Sequence, residues 1–475
     1  MDNKNNNLMD PETGFENELS GSISVEENVM GTARCNKLLL SISMPIMASM
    51  LVQAFYNIVD SIFVSRINEN ALTAVSLALP VQNLMIAVIC GTGVGINARL
   101  SRKLGEKNIE AVNKTAGNAI SISALITMFF MVLGFLFSGT FMRAMTSDAQ
   151  IIQYGIEYIG IVTIFCGGLA FQIVFERLVQ STGKTFYSMI SQGTGAVINI
   201  ILDPIFIFGL LGFPAMGVKG AAIATVVGQW IGSFIGLYCN FRYNKEISIR
   251  PKYFKLEKTI VRDIFAVGFP SIIMQSIGSV LTFGLNKILL AFSSTAAAVF
   301  GIYFKLQSFV FMPIFGLNNG LVPIISYNYG AKNPDRIKET FRYAVLYSLV
   351  IMTVGFLIFF LKPELLLMLF DASDEMIRIG SVALPIISIC FVFAGYAIVC
   401  SSMFQALGHG VLSLGISIIR QIVILLPSAY IFSKLGGLNL LWWAFPFSEI
   451  VSFVISYIEI KRIIRHQVDS LDKFQ

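Results

Sequence analysis

Asp60 is a carboxylate within a long apolar stretch of the chain, and polar residues precede it at helical spacing. Gln53, Tyr56 and Asn57 lie seven, four and three residues before it. In a helix these positions share one face, so we expect the four side chains to form one polar stripe. An ionisable group inside a membrane-spanning helix is costly and is a functional candidate by default.

Asp203 is a second carboxylate of this kind. Asn199 lies one helical turn before it and Pro204 follows it, which predicts a polar face on a bent or opened helix. Freed carbonyls beside a carboxylate suit a hard cation, and Thr225 adds a hydroxyl. Buried carboxylates also take up a proton more readily than exposed ones, especially in pairs. Both proton exchange and Na⁺ binding therefore suit this cluster, whereas in a purely structural alternative these groups only cap helices or hydrogen-bond between them.

The composition predicts that the elements around these residues lie in a membrane. Of 475 residues, 55% are hydrophobic and only 13% are charged. A soluble protein has about 25% charged residues. The six cysteines lie mostly in apolar runs and there are only two histidines, which argues against a disulfide scaffold and against a zinc or haem site. The sequence contains no nucleotide-binding loop of the P-loop type.

Apolar segments of about 20 residues or more are long enough to cross the hydrocarbon core as helices. We predict twelve of them, near 38–65, 70–97, 115–138, 152–178, 188–210, 219–241, 263–291, 296–325, 340–361, 378–404, 411–433 and 439–462. The Lys and Arg residues outside them are concentrated in the terminal segments and in every second connection. By the positive-inside rule, both termini are then cytoplasmic.

The chain repeats itself at a shift of 225 residues. Identical residues at this offset include the pairs Pro45/Pro270, Ala71/Ala296, Gln82/Gln307, Gly91/Gly316, Gly95/Gly320, Ser101/Ser326, Gly105/Gly330, Lys107/Lys332, Asn108/Asn333, Gly155/Gly380, Gln180/Gln405 and Gly183/Gly408. Chance similarity between apolar segments does not explain matching Gly, Gln, Lys and Asn. Each half contains six segments, so the halves have the same orientation, as in transporters that rock two halves about a central cleft.

This repeat defines the predicted domain organisation. We expect a disordered cytoplasmic tail over 1–34, a six-helix lobe over 35–241, a cytoplasmic linker over 242–262, a second six-helix lobe over 263–462 and a cytoplasmic tail over 463–475. The fold class is an all-α polytopic membrane protein with twelve transmembrane helices in two lobes related by a pseudo-two-fold axis.

Several stretches resemble the multidrug and toxic compound extrusion (MATE) transporters. These are the run from Pro45 through Gln53-Ala-Phe-Tyr-Asn57-Ile-Val-Asp60, the stretch Gly91-Thr-Gly-Val-Gly95 with the Gly105-Glu-Lys-Asn108 loop, the run from Asn199 to Gly209 and the stretch Gly220-Ala-Ala-Ile-Ala-Thr225. The resemblance covers about 35–465. It implies two six-helix lobes and efflux of cationic or amphipathic compounds driven by inward Na⁺ or H⁺.

The resemblance also implies roles for individual residues. Asp60, Asn199, Asp203, Gln53 and Thr225 match the polar cluster of the N-terminal lobe that one branch of the family uses for cations or protons, with Na⁺ expected at Asp60, Asn199 and Asp203. Another branch has carboxylates in its seventh and tenth helices. The stretches 264–291 and 378–404 contain none, so we expect no ion site of that type in the second lobe.

Other polar and adaptable side chains are candidates for a substrate cavity. They are Tyr56, Asn57, Met274, Tyr303, Lys305 and Met312, each of which could instead be a packing or lipid-facing residue. Lys305 is interpreted either as a coupling charge or as a structural partner. Arg420 is expected to extend its charge to the membrane surface, and Glu176 is expected to be solvated near a helix end.

The predicted function is a secondary active antiporter that exports amphipathic or cationic drugs in exchange for H⁺ or Na⁺. A lipid-linked oligosaccharide flippase is the alternative, and an intramembrane enzyme is a third reading that no nucleophile or metal motif supports. We expect no cofactor beyond the coupling ion, no nucleic-acid partner, lipids and small molecules as partners, a monomer, and a place in the plasma (inner) membrane.

Overall fold

The computed structural model describes residues 28–370 and 372–474, with side chains described up to residue 471. The predicted tail over 1–27 lies outside this range. The described residues form helices joined by short connections and include no strand. The predicted all-α class is therefore confirmed for the described part of the chain.

Twelve principal helices follow one another. They are α1 (Cys35–Ser65), α2 (Glu69–Gly105), α3 (Ile109–Met145), α4 (Ala149–Ile164 and Gly167–Ser181), α5 (Thr185–Phe208), α6 (Gly217–Tyr243), α7 (Lys258–Leu290), α8 (Ser294–Gly330), α9 (Pro334–Leu361), α10 (Asp374–Ser388 and Cys390–Ala406), α11 (Gly410–Leu441) and α12 (Ala444–Ile463). In the described residues, nine of these and the two bent pairs are long and apolar enough to cross a membrane. Helix α12 carries several charges, but its 20 residues also span about 30 Å.

The helices differ from the predicted spans in four places. Helices α4 and α10 are broken by bends of 40° and 43°, whereas the sequence predicted continuous spans. Helix α11 contains a π-helical turn over Ile419–Leu425. Gly436 and Gly437 leave helical geometry near its end, and α12 begins at Ala444 rather than near 439.

Side-chain caps begin corresponding helices of the two halves. Each capping side chain accepts a hydrogen bond from a backbone N–H of the first turn, which would otherwise have no partner. The caps are Asn68 and Ser293, Asn108 and Asn333, and Asp148 and Ser373, each pair being 225 residues apart.

Interior hydrogen bonds repeat at the same shift. They are Ser101 Oγ to the Ser181 carbonyl (3.1 Å) and Ser326 Oγ to the Ala406 carbonyl (2.9 Å), and Gln180 Nε2 to Ser188 Oγ (2.7 Å) and Gln405 Nε2 to Ser413 Oγ (3.3 Å). The identities at Ser101/Ser326 and Gln180/Gln405 are thus explained by one hydrogen-bond pattern used twice.

The two halves pack through glycines in a reciprocal way. A Cβ atom on Gly91 of α2 would lie 2.6 Å from the backbone nitrogen of Ile272 in α7. A Cβ atom on Gly316 of α8 would lie 2.7 Å from the Cα atom of Met47 in α1. Positions 91 and 316, and 47 and 272, are repeat equivalents, so the same contact occurs twice about the pseudo-two-fold axis.

Further contacts between the halves lie at the end of the bundle where both described termini are found, which we call the terminal end. Arg99 of α2 pairs with Asp263 of α7. The Arg102 guanidinium of α2 lies 4.7 Å from the ring centroid of Tyr329 in α8. The halves are therefore held together at the terminal end.

The segment 28–33 also bridges the two halves at the terminal end. Asn28 Nδ2 donates to the Thr182 carbonyl of the first half (3.2 Å) and to Glu246 Oε1 of the linker that follows it (2.7 Å). Arg336 of the second half donates through Nη2 to the carbonyls of Met30 (3.0 Å) and Ala33 (2.7 Å). Met30 is fully buried, and Val29–Thr32 is helical. For residues 28–34 the prediction of a disordered tail was therefore wrong.

Candidate functional site

Asp203 lies in the interior of the first half with none of its surface exposed. It is in α5, which remains helical through Pro204 instead of opening as predicted. Because proline has no N–H, the carbonyl one turn earlier still lacks its helical partner.

Asn199 and Thr225 surround the Asp203 carboxylate. In the orientation that satisfies the Asn199 amide, its nitrogen donates to Asp203 Oδ2 at 3.2 Å and its oxygen accepts from the Thr225 backbone N–H at 3.0 Å. The Thr225 hydroxyl lies 3.3 Å from the same amide. Three of the predicted site residues, Asn199, Asp203 and Thr225, are therefore brought together between α5 and α6.

Asp60 lies on α1, facing the same interior, and is half-buried. Asp60 lies close enough to Asp203 for their charges to repel each other. Both carboxylates also interact electrostatically with the phenol groups of Tyr56 and Tyr158. Among the described residues, Oδ1 of Asp60 and Oδ1 of Asp203 have no hydrogen-bond partner. Each carboxylate therefore retains an oxygen that can bind a proton or a cation.

Tyr158 of α4 is part of this environment, although the sequence did not indicate it. Its hydroxyl donates to Gln82 Oε1 of α2 at 3.5 Å and its side chain is buried. A cavity of about 10 Å³ beside these two side chains has room for one water molecule at most. A tyrosine in an apolar helix is usually a packing residue, so only the fold shows its position near the carboxylates.

Gln53 and Asn57 make contacts other than with the carboxylates. Gln53 accepts a hydrogen bond from Gln192 Nε2 of α5 at 3.0 Å, about 10 Å along α1 from Asp60. The side chain of Asn57 is exposed. Of the predicted stripe on α1, Gln53 therefore contacts α5 away from the carboxylates, and Asn57 does not join them.

The structure includes a second buried carboxylate in the first half. Glu176 of α4 is only 7% exposed, and it accepts hydrogen bonds from Gln172 Nε2 (3.1 Å) and Ser191 Oγ (3.5 Å). The prediction that Glu176 is solvated was wrong, because the bend in α4 places Gly167–Ser181 inside the bundle. Its neighbour Arg177 reaches across to Asn319 of the second half at 3.1 Å.

The tentative cavity residues of the second half occupy different environments. Tyr303 is 3% exposed within a cluster of aromatic rings that includes Phe300 and Phe445. The sulfur of Met274 lies 3.5 Å from Ser413 Oγ in the interior, and Met312 is half-buried. Lys305 is exposed, with Nζ 6.0 Å from the ring centroid of Phe370. In this conformation the structure does not bring these four residues together into one site.

The second half pairs its own buried charges. Arg420, in the π-helical turn of α11, donates to Glu449 of α12 at 3.2 Å, and both side chains are largely buried. Arg420 is thus paired inside the bundle instead of extending to the surface as expected. Across the described residues, no three His, Cys, Asp or Glu side chains are grouped so as to hold a metal ion.

A family model described as MatE matches residues 45–205 and 270–431, which together make up more than half of the chain. The chain belongs to the MatE family. The two matches begin 225 residues apart, so the family model itself recognises the repeat.

Curated relatives and solved structures agree with this membership. The multidrug export protein MepA of Staphylococcus haemolyticus is 27% identical over 416 residues, covering 87% of this chain and 91% of the relative. The probable multidrug resistance protein NorM of Thermotoga maritima is 25% identical, covering 85% of this chain and 87% of the relative. A structure described as the outward-facing conformation of a multidrug resistance MATE family transporter has a TM-score of 0.87 and 25% identity, covering 94% of this chain and 99% of that one. The MatE fold of two six-helix lobes is therefore shown.

Proposed function

We propose that this MatE-family chain is a multidrug exporter that exchanges H⁺ or Na⁺, bound between Asp60 and Asp203, for amphipathic or cationic compounds. The observation that carries the proposal is the presence of two carboxylates, Asp60 and Asp203, within electrostatic reach of each other in one half, each with an oxygen that has no partner among the described residues. Export as the direction of transport is supported by the relatives, which are named as multidrug export and resistance proteins.

The oxygen atoms around the carboxylates suit either coupling ion. For Na⁺, the carboxylates of Asp60 and Asp203 and the Thr225 hydroxyl offer hard oxygen ligands, and Asn199 would add its amide oxygen only if the amide turned over, because its nitrogen faces Asp203. For H⁺, two like-charged groups near each other in a low-dielectric interior favour the uptake of one proton. In both cases the bound ion removes the repulsion between α1 and α5.

Relief of that repulsion supplies the coupling. With the ion bound, the outer part of α1 moves toward α5 and reduces the space in the first half. With the ion released, the like charges separate and the space returns. Because α1 also packs on α8 through Met47 and Gly316, this movement is transmitted to the contact between the halves.

Aromatic rings near the middle of the bundle are suited to flat cations. Phe55 of α1 and Phe309 of α8 contact each other edge to face across the two halves, with ring centroids 5.8 Å apart. Aromatic faces attract organic cations and adapt to different shapes. A flippase for pyrophosphate-linked lipids would need several free cationic groups in its cavity. Arg420 is paired with Glu449, and Lys305 lies 6.0 Å from the ring centroid of Phe370, so the geometry favours the exporter.

Efflux of a fluorescent organic cation from proteoliposomes tests the proposal. A pH gradient and a Na⁺ gradient are imposed separately across the membranes of proteoliposomes that contain either the wild-type protein or Asp203→Asn. The matched control is Asp374→Asn, which changes an exposed aspartate at the end of the bundle opposite the terminal end. We expect one gradient to drive efflux, Asp203→Asn to abolish it and the control to retain it. Gradient-driven efflux that persists in Asp203→Asn would refute the coupling role.

The placement in the cell is part of the same proposal. The arginines and lysines of the connections α2–α3, α6–α7 and α8–α9 lie at the terminal end. By the positive-inside rule, this end faces the cytoplasm when the protein is in the plasma membrane. Cysteine accessibility from either side of intact cells tests this orientation.

A further inference from the structure

A lateral groove separates the two halves where the 242–262 linker enters α7. It has a volume of about 230 Å³, and its walls are Leu125 and Phe129 of α3, Leu256 of the linker, and Val261 and Phe265 of α7. Leu125, Phe129 and Leu256 are each more than 40% exposed. One wall belongs to the first half and the other to the second, so the groove lies on the seam that changes when the halves move.

The linker is fixed directly above this groove. Asn118 Nδ2 donates to the Lys255 carbonyl at 3.1 Å, and the Glu257 N–H donates to Asn118 Oδ1 at 2.8 Å. Ser121 Oγ donates to the Phe254 carbonyl at 2.6 Å. The polar contacts on α3 end here, and the apolar wall begins at the next residue, Ile122.

Basic side chains border the groove on the linker side. Lys255, Lys258 and Arg262 are exposed. The nearby carboxylates are paired with other cations: Glu257 with Lys114 at 3.4 Å, and Asp263 with Arg99. In the described part of the chain, no ion pair is found for these three basic residues. The border therefore carries an excess of positive charge.

The basic and apolar residues of α7 lie on one face. At 100° per residue, Lys258, Val261, Arg262 and Phe265 fall within an arc of about 100°. Helix α7 begins at Lys258, and Val261, Arg262 and Phe265 lie about 4.5, 6 and 10 Å further along it. The charges therefore lie at the end of the groove nearest the linker and beside its first apolar residue, and the apolar wall continues beyond them, which is the order of phosphate and acyl chain in a phospholipid.

We propose that this groove binds an anionic phospholipid, with its phosphate at Lys255, Lys258 and Arg262 and an acyl chain between α3 and α7. Basic pockets between membrane helices on the cytoplasmic side are suited to such head groups. A soluble phosphate compound would use the basic border but not the apolar walls, and a zwitterionic lipid would use the walls with little gain from the charges. Neither therefore matches both features of the site.

Lipid binding to the purified full-length protein in detergent tests the proposal. Native mass spectrometry and thermal unfolding are measured with dioleoyl phosphatidylglycerol, dioleoyl phosphatidylcholine and soluble glycerol phosphate. The variants are Lys258→Gln/Arg262→Gln, which removes the charges, and Leu125→Trp, which fills the groove without changing charge. The control is Lys461→Gln/Arg462→Gln, an exposed pair at the end of α12 in the same leaflet.

We expect phosphatidylglycerol to bind and stabilise selectively. At about 1 kcal/mol per basic group, the double charge variant should lose roughly thirtyfold in affinity. Leu125→Trp should lose binding of both lipids, and the control should match the wild type. The proposal would be overturned if the wild type bound the two lipids equally, or if the charge variant kept its selectivity. It would also be overturned if the control lost as much affinity as the charge variant, or if glycerol phosphate alone gave the full stabilisation. None of these measurements depends on transport, so the exporter proposal is tested separately.

Discussion

Gly316→Ala should shift the protein away from the conformation in which the halves are closed at the terminal end. The new Cβ atom would lie 2.7 Å from the Cα atom of Met47, whereas carbon atoms pack at about 3.5–4.0 Å. The Cβ atom is fixed rigidly to the backbone of α8 and the Cα atom is part of the backbone of α1, so the halves must separate by about 1 Å. Overpacking of this kind costs about 1–3 kcal/mol, which corresponds to a roughly five- to 150-fold change in the equilibrium between conformations.

Gly91→Ala should have a similar effect, because its Cβ atom would meet the backbone of Ile272 in the equivalent contact. One separation of the halves relieves both clashes. The double variant should therefore cost less than the sum of the two single variants.

Spin labels at Glu110→Cys and Asp335→Cys, two exposed and repeat-equivalent positions at the terminal end, give the distance between the halves. The described native cysteines are buried, apart from the half-buried Cys90, which favours selective labelling. Pulsed electron resonance should show a larger population at long distance for Gly316→Ala than for the parent.

Gly301→Ala is the matched control, because it lies in the same helix with nothing within 4 Å of the new Cβ atom. It should leave the distances unchanged and stabilise the helix slightly. If Gly316→Ala gives the same distances as Gly301→Ala, the contact with Met47 does not hold the halves closed.

Three further variants test other parts of the structure. Arg420→Gln should lower thermal stability by the equivalent of roughly 1–3 kcal/mol, because Glu449 loses its partner. Arg420→Gln/Glu449→Gln should recover much of this loss. An equally unstable double variant would show that packing, not the ion pair, is responsible. Arg336→Gln should speed hydrogen exchange over residues 28–34, as measured by mass spectrometry, whereas Arg342→Gln on the same helix should not. Unchanged exchange in Arg336→Gln would contradict the bridging role of Arg336. Asp60→Asn should abolish gradient-driven efflux as Asp203→Asn does, and retention of efflux would leave Asp203 as the sole coupling group.

The repeat made much of the fold predictable from sequence. Identities such as Ser101/Ser326 and Gln180/Gln405 fall where each half needs the same hydrogen bond, so a fixed offset was enough to indicate two equivalent halves. The glycine identities were equally informative, because close contact between helix backbones excludes any side chain.

The rest depended on contacts between segments far apart in the chain. Glu176 lies near the end of a predicted span, and nothing local shows that a bend in α4 places it beside Ser191. Nothing in the sequence around Tyr158 indicates that its hydroxyl lies beside Gln82 of another helix. The residues before α1 look like part of a polar tail, and the groups that order them, such as Thr182 and Arg336, lie about 150 to 300 positions away.

The reciprocal glycine contacts have an evolutionary consequence. In a two-fold symmetric dimer, residue i of one copy meets residue j of the other, and j meets i in return. Gly91 with Ile272 and Gly316 with Met47 follow this rule within a single chain. Each half therefore carries both sides of the surface by which it binds the other, as a half-length ancestor that assembled with its own copy would have done. The two halves differ in their interiors, with Asp60 and Asp203 in the first and the Arg420–Glu449 pair in the second, because each can vary inside while the reciprocal contact keeps them joined.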